Sequence, residues 1–205
     1  RGFKPMQRCL FISSAEGEKH FTKNIKRHVK KICKKYGGMY ITGLPTLMWE
    51  PGRYKDPYIR EDLHDYGILI DTLETSVKWD NLHDVHKAVR QFIKNRPQTV
   101  CMTHASHFYP QGTNLYFIYI MKTDDIKEYI TFQDGIIDSI AKSGGSLSHH
   151  HGVGRMLAPW MEEHIGKEQM AVLRAIKKHF DPNAIMNPGG QLGFDLKDKN
   201  WRSIK

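Results

Sequence analysis

TVCMTHASHFYPQGTNLYFIYIM, residues 99–121, decides the fold: two β-prone runs lie on either side of a Pro110-Gln111-Gly112 break. Such runs, rich in β-branched and aromatic residues and divided by turn formers, predict a hairpin, with strands over Thr99 to Tyr109 and Asn114 to Met121. Alternation in the second strand sends Tyr116, Ile118 and Ile120 to one face and Phe117, Tyr119 and Met121 to the other. Working outward, Ile68 to Thr75 reads as a strand. Asp80 to Asn95 reads as a helix that turns Leu82, Val85, Val89 and Phe92 or Ile93 inward. Beyond the hairpin, Thr123 or Asp124 caps a helix of about 20 residues that ends at Lys142. The order predicts an α+β fold: a mainly antiparallel sheet with helices on one face. A last helix, Lys167 to Phe180, stops before DPNAIMNPGG, whose prolines and glycines make an extended tail.

Toward the N-terminus, residues 7–13 (QRCLFIS) and Met39 to Thr42 are apolar enough for two further strands. Between them KHFTKNIKRHVKKICKKYGG carries eight Lys and Arg. Phe21, Ile25, Val29, Ile32 and Tyr36 recur in it at helical spacing, which makes an amphipathic helix with a basic outer face, closed by Gly37 and Gly38. Gly43 to Pro57, with three prolines, reads as an irregular excursion. A short helix follows, with Asp56 as cap, Pro57 at its first position and Gly67 closing it.

With 40% hydrophobic and 26% charged residues, the chain has the composition of a globular protein rather than a disordered one. Its 205 residues suffice for one well-buried core with an extension, not for two full-sized domains. The chain begins at Arg1 within ordinary-looking sequence, which suggests a fragment. Three widely spaced cysteines, Cys9, Cys33 and Cys101, fit neither a disulfide framework nor a zinc-thiolate site, so a reducing, cytoplasmic compartment is expected. A formal charge of +9 favours acidic partners: phosphorylated substrates, anionic lipid or nucleic acid. A solvated helix face is the plainer account of the basic stretch.

SGGSLSHHHGVGR, residues 143–155, is the candidate site loop. His149, His150 and His151 titrate nearest neutrality, and Gly144, Gly145, Gly152 and Gly154 let the backbone turn and press against a ligand. Arg60, on the short helix, presents a guanidinium suited to a carboxylate or phosphate, although a surface pairing with His64, Glu61 or Asp56 is the plainer account of it. Tyr116 in an apolar strand reads first as a core phenol with one hydrogen bond. His104 and His107 would point to opposite faces of a strand but could converge on a turn. With the triplet they make a metal site conceivable. Against it, there is no HExxH and no carboxylate at a ligand spacing, and no metal is expected.

GGSLSHHHGVG, followed after a helix by FDPNAIMNPGG, resembles the C-terminal end of the FAD-linked oxidases of the vanillyl-alcohol oxidase type. The triplet is most similar to that of the alkyldihydroxyacetonephosphate synthases and their bacterial relatives. KKYGG, YIRE, ETSVKWDNL and LYF match upstream in the same order, so the resemblance spans nearly the whole chain. It implies a cap or substrate domain over residues 1–143, and over 144–205 a histidine loop and helical segment returning toward an FAD-binding domain absent from this chain. The fragment alone would then bind FAD weakly or not at all and be inactive, and the full-length protein would be a homo-oligomer.

The same resemblance places Arg60 on the substrate-binding arginine and Tyr116 on the active-site tyrosine. It makes His149, His150 and His151 catalytic and flavin-side residues, and Asn187 a cofactor contact. A synthase-like reaction would exchange the acyl group of an acylated dihydroxyacetone phosphate for a fatty alcohol. An oxidase-like reaction would oxidise a 2-hydroxy acid. Departures from the synthase pattern, chiefly Tyr119 to Asp125 in place of an aromatic-rich stretch and the polar tail to Lys205, bear on a lipid substrate more than on flavin chemistry. A reading of another class is a basic module that binds anionic lipid or nucleic acid through His20 to Tyr36. In the flavoenzyme reading the partner is a small anionic, lipid-derived substrate, with contact to a membrane surface and none to nucleic acid.

Overall fold

The computed structural model describes residues 4 and 7–190. The chain divides into two compact units, Arg1–Ile59 and Arg60–Lys205. In the first, α1 (Lys19–Lys35) is the expected basic helix, with Lys34 and Lys35 in the last turn, where cations oppose the helix dipole. Gly37 takes a left-handed φ of 76°, and the Gly38 N–H returns to the Cys33 carbonyl at 2.7 Å, closing the helix as the two glycines suggested.

Two expectations fail in this unit. Residues 7–13 and 39–42 form no strands, because no neighbouring strand there accepts their backbone groups. The stretch expected to be irregular contains α2 (Leu44–Gly52). Its prolines sit where they do little harm: Pro45 in the first turn needs no N–H partner, and Pro51 falls in the last turn. Helix α3 (Asp56–His64) follows over the span the sequence predicted.

The second unit carries the sheet. Strands β1 (Ile68–Lys78), β2 (Val100–Ser106) and β3 (Gly112–Lys122) pair antiparallel in the order β1-β3-β2. The register sets Glu74 and His104 on either side of Tyr116, and Leu73 and Thr103 on either side of Phe117. Because side chains alternate, Leu73, Phe117, Tyr119 and Met121 share one face with α4 (Leu82–Asn95) and α5 (Ile126–Lys142). The protein is therefore α+β. Val85, Val89 and Ile93 of α4 have no exposed surface, and burying each is worth about 1.5–3 kcal/mol. The core continues into α6 (Ala158–Ile165), which the sequence reading missed, and α7 (Lys167–Phe180) through Met161 and Met170.

Between β2 and β3 the chain reverses in five residues. The Trp79 indole N–H donates to the carbonyls of Tyr109 (3.0 Å) and Pro110 (3.1 Å), pinning that connection to the end of β1. No residue with a side chain could replace Gly112, since a Cβ there would lie 2.0 Å from the Val77 carbonyl oxygen.

Candidate functional site

The second sheet face presents Glu74 of β1, Asn114 and Tyr116 of β3, and His104 of β2, all of one parity in the register. Residues 143–155 leave α5 and pass across this face. Their entry is fastened at three points. The Asn81 amide donates to the Ser143 carbonyl at 2.8 Å, Thr75 Oγ1 donates to the Ser146 carbonyl at 2.6 Å, and the Ser146 N–H donates to the Ser76 carbonyl at 3.0 Å. Gly145 must lack a side chain here, because a Cβ would come 2.6 Å from Thr75 Oγ1.

Glu74 then gathers the loop. Its Oε1 accepts from Ser148 Oγ (2.9 Å) and from the backbone N–H groups of His149 (2.8 Å), His150 (2.9 Å) and His151 (2.9 Å). Its Oε2 accepts from Asn114 Nδ2 at 2.7 Å. Three successive N–H groups converging on one oxygen form a concave anion-binding nest, here filled by the protein's own carboxylate. Burial of Glu74, which is only 4% exposed, works to raise its pKa, but the hydrogen bonds from His151, His150, His149 and Asn114 outweigh it and hold the carboxyl at about 2. Glu74 is ionised at any physiological pH.

Above this anchor the rings cluster. His149 Nδ1 and His150 Nδ1 lie 2.9 Å apart, and Asn114 Nδ2 is 3.2 Å from each. On the far side, His150 Nε2 meets the Tyr116 hydroxyl at 3.1 Å, and His149 Nε2 meets the Tyr109 hydroxyl at 3.1 Å. His151 packs edge-on against Tyr116, with ring centroids 5.6 Å apart. His107 joins because the backbone turns left-handed at that residue, φ 53°, and swings its ring to 4.9 Å from His150 and 5.1 Å from His149. His104 stays on β2, its ring 5.3 Å from Tyr116. A cleft of about 820 Å³ opens beside Tyr109 and His149, lined also by Lys78, Asn81 and Gly145.

The structure thus unites Tyr116 with all three histidines of the triplet. It does not bring Arg60 to them. Arg60 is exposed, and its electrostatic neighbour is Tyr129 of α5. The Tyr129 hydroxyl donates to Asp71 on the helix-covered side of the sheet, opposite Tyr116. Asn187 sits in a left-handed turn, φ 47°, tied to the end of the histidine loop by Arg155, whose Nη2 donates to the Pro188 carbonyl at 2.6 Å.

Sequence reasoning missed Glu74, Asn114 and Tyr109, and it considered His107 only as a conceivable metal ligand on a turn. The legible signal for Glu74 was an acid, the second after Asp71, inside the strand ILIDTLETSVK, where a charge is costly unless it is paired. Among the described residues, His107, His149 and His150 each offer a ring nitrogen within 4.8 Å of the others. Both ring nitrogens of His149 and His150 have hydroxyl, amide or imidazole partners and His107 Nδ1 has the Ser106 hydroxyl, and we read the group as a hydrogen-bonded cluster.

Residues 2–190 match the family model described as FAD linked oxidases, C-terminal domain. The alkyldihydroxyacetonephosphate synthase of Dictyostelium discoideum is 36% identical over 197 residues, covering 92% of this chain and 32% of the relative. A solved structure of an alkyldihydroxyacetonephosphate synthase matches with a TM-score of 0.58 at 30% identity, over 84% of this chain and 30% of that one. A shorter stretch, 64 residues at 36% identity, matches the glycolate oxidase subunit GlcD of Bacillus subtilis, covering 31% of this chain and 14% of the relative. The chain spans about a third of the length of the synthases it matches. With a match over nearly its full length, this chain belongs to the family of C-terminal domains of FAD-linked oxidases.

Proposed function

We propose that the chain is the substrate-side portion of an FAD-dependent enzyme acting on a small anionic hydroxy or phosphorylated substrate, with synthase-like exchange of acyl for alkyl on dihydroxyacetone phosphate as the leading reaction. The observation that carries this is the 3.1 Å contact between the Tyr116 hydroxyl and His150 Nε2, on an exposed face rimmed by His151 and His107. A phenol hydrogen-bonded to an imidazole is a proton-transfer pair: as the Tyr116 oxygen takes a proton from a carbon next to oxygen, its own proton passes to His150.

The donor set fits a flavin. Imidazoles and a phenol on an open face can hydrogen-bond the polar edge of its ring system, and His149, His150 and His151 are the residues that would flank it. When bound, FAD supplies the electrophile or hydride acceptor that no side chain provides. The chain's own groups bind, orient and move protons. Asn187, held close to the loop by Arg155, is the further cofactor contact in this reading, and residues 144 onward carry the chain back toward the FAD-binding portion. Arg60 is the anion-binding residue the family resemblance implies. A cytoplasmic homo-oligomer whose basic helix α1 touches an anionic membrane surface belongs to the same reading, supported by the charge of that helix. No described helix is long and apolar enough to cross a membrane.

The second reading, oxidation of a 2-hydroxy acid, is favoured by the local match to a glycolate oxidase subunit. In that reaction the substrate carbon gives up a hydride and its hydroxyl a proton, and the histidine cluster receives the proton. Mixing the full-length protein anaerobically with a panel of 2-hydroxy acids, and separately with acyl dihydroxyacetone phosphate and labelled fatty alcohol, separates the two. Exchange of label without net flavin bleaching supports the synthase-like reaction, and bleaching by a hydroxy acid supports the oxidase-like one. Absence of both exchange and bleaching, in protein with bound FAD, refutes the assignment.

A further inference from the structure

The hydrogen-bonded chain Tyr109–His149–His150–Tyr116 can run in either direction. In one, Tyr109 donates to His149, His149 Nδ1–H donates to His150 Nδ1, and His150 Nε2–H points at Tyr116. In the other every proton is reversed. His150 then carries its proton on Nδ1, and its Nε2 lone pair accepts from the Tyr116 hydroxyl. Distances alone are nearly symmetric, at 3.1 Å to each phenol and 2.9 Å between the rings.

Asn114 does not break the tie, since its Nδ2 is 3.2 Å from both Nδ1 atoms. Glu74 does. Its Oε2 lies 3.5 Å from His150 Nδ1, and the carboxylate is buried, ionised and locked by five donors, so its negative charge favours a proton on that nitrogen. We propose that Glu74 is the positioning residue of a Glu74–His150–Tyr116 relay, selecting the tautomer in which His150 Nε2 faces the Tyr116 hydroxyl as a proton acceptor. The logic is that of a carboxylate orienting a histidine against its proton donor, built here from a strand acid, a loop imidazole and a neighbouring-strand phenol. His149, in the same polarity, donates from Nε2 to Tyr109 and opens a proton exit to the cleft beside it. The inference rests on the reading of Tyr116 as a proton-transfer group.

The test is nitrogen-15 NMR of the full-length, FAD-loaded protein labelled at histidine, with the His150 signals assigned by their loss in His150→Gln. The expected result at neutral pH is a protonated Nδ1 and an unprotonated Nε2. In Glu74→Gln the side chain can still accept from the loop N–H groups, but the charge is gone. The proton should move to Nε2, and kcat should fall by about 100-fold, with KM changed less than about twofold. Glu74→Asp, which keeps the charge, should keep the proton on Nδ1.

A wild-type His150 protonated on Nε2 overturns the proposal, and that measurement needs no variant to fold. So does a Glu74→Gln protein with unchanged tautomer and unchanged kcat. If Tyr116→Phe turns over at the wild-type rate while the tautomer follows Glu74 as stated, the proton-transfer role of Tyr116 fails and the orienting role of Glu74 stands.

Discussion

Acid should release the histidine loop, and the size of the effect can be worked from Glu74. Its carboxyl drops from an ordinary 4.5 to about 2 in the folded protein, because burial, which opposes ionisation, is outweighed by the loop's hydrogen bonds. A folded-state pKa below the unfolded value means that the contribution is complete above about 4.5 and is lost as pH falls toward 2. At about 1.4 kcal/mol per pH unit, the shift is worth about 3 kcal/mol at pH 6, and about 2 of those are gone by pH 3. The perturbation is Glu74→Gln, which removes the titration and leaves every other carboxylate in place, including Asp138, Asp181 and Glu128, which also sit low. Urea unfolding at pH 6 and pH 3, followed by far-ultraviolet circular dichroism, gives the stability of each protein at each pH. Wild type should lose about 2 kcal/mol more than Glu74→Gln between the two conditions. Equal losses would refute the claim that the nest holds this carboxylate ionised.

Other perturbations have equally definite outcomes. Tyr116→Phe should lower kcat by about 10²-fold with little change in melting temperature, because the residue is half-exposed and only its hydroxyl is removed. Gly145→Ala should destabilise the fold by about 1–3 kcal/mol in thermal melts, since the new methyl would fall 2.6 Å from Thr75 Oγ1 and push the loop off β1. Arg60→Ala separates family resemblance from geometry: a rise in KM with kcat preserved supports an anion-binding role, whereas unchanged kinetics match its distance from the histidine cluster. Lys30, Lys31, Lys34 and Lys35 changed together to Glu should abolish salt-sensitive binding to anionic vesicles, and wild-type protein that fails to bind at low salt removes the membrane contact from the reading.

The hairpin, the two helices that cover it and the capping glycines of α1 were readable because each depends on local periodicity or on one residue's allowed backbone angles. Helices α2 and α6 were not, since both begin beside prolines that read as breakers until their place in the first turn is known. The apolar stretches at 7–13 and 39–42 looked like strands. Apolarity does not supply the neighbouring strand that such a stretch needs.

By itself the sequence determined the α+β class, the flavin family, and the alternation that puts Tyr116 on the face opposite Phe117. Only the tertiary structure decided what shares that face. Glu74 and Asn114 are 40 residues apart, and the histidines lie 75 to 77 residues beyond Glu74, so their meeting depends on strand register and on the path of a loop. Register is a property of paired chains, and hydrogen bonds across it are invisible to any local pattern. For the same reason Arg60, as good a candidate in the sequence as Tyr116, is coupled electrostatically to Tyr129, whose hydroxyl lies on the other side of the sheet.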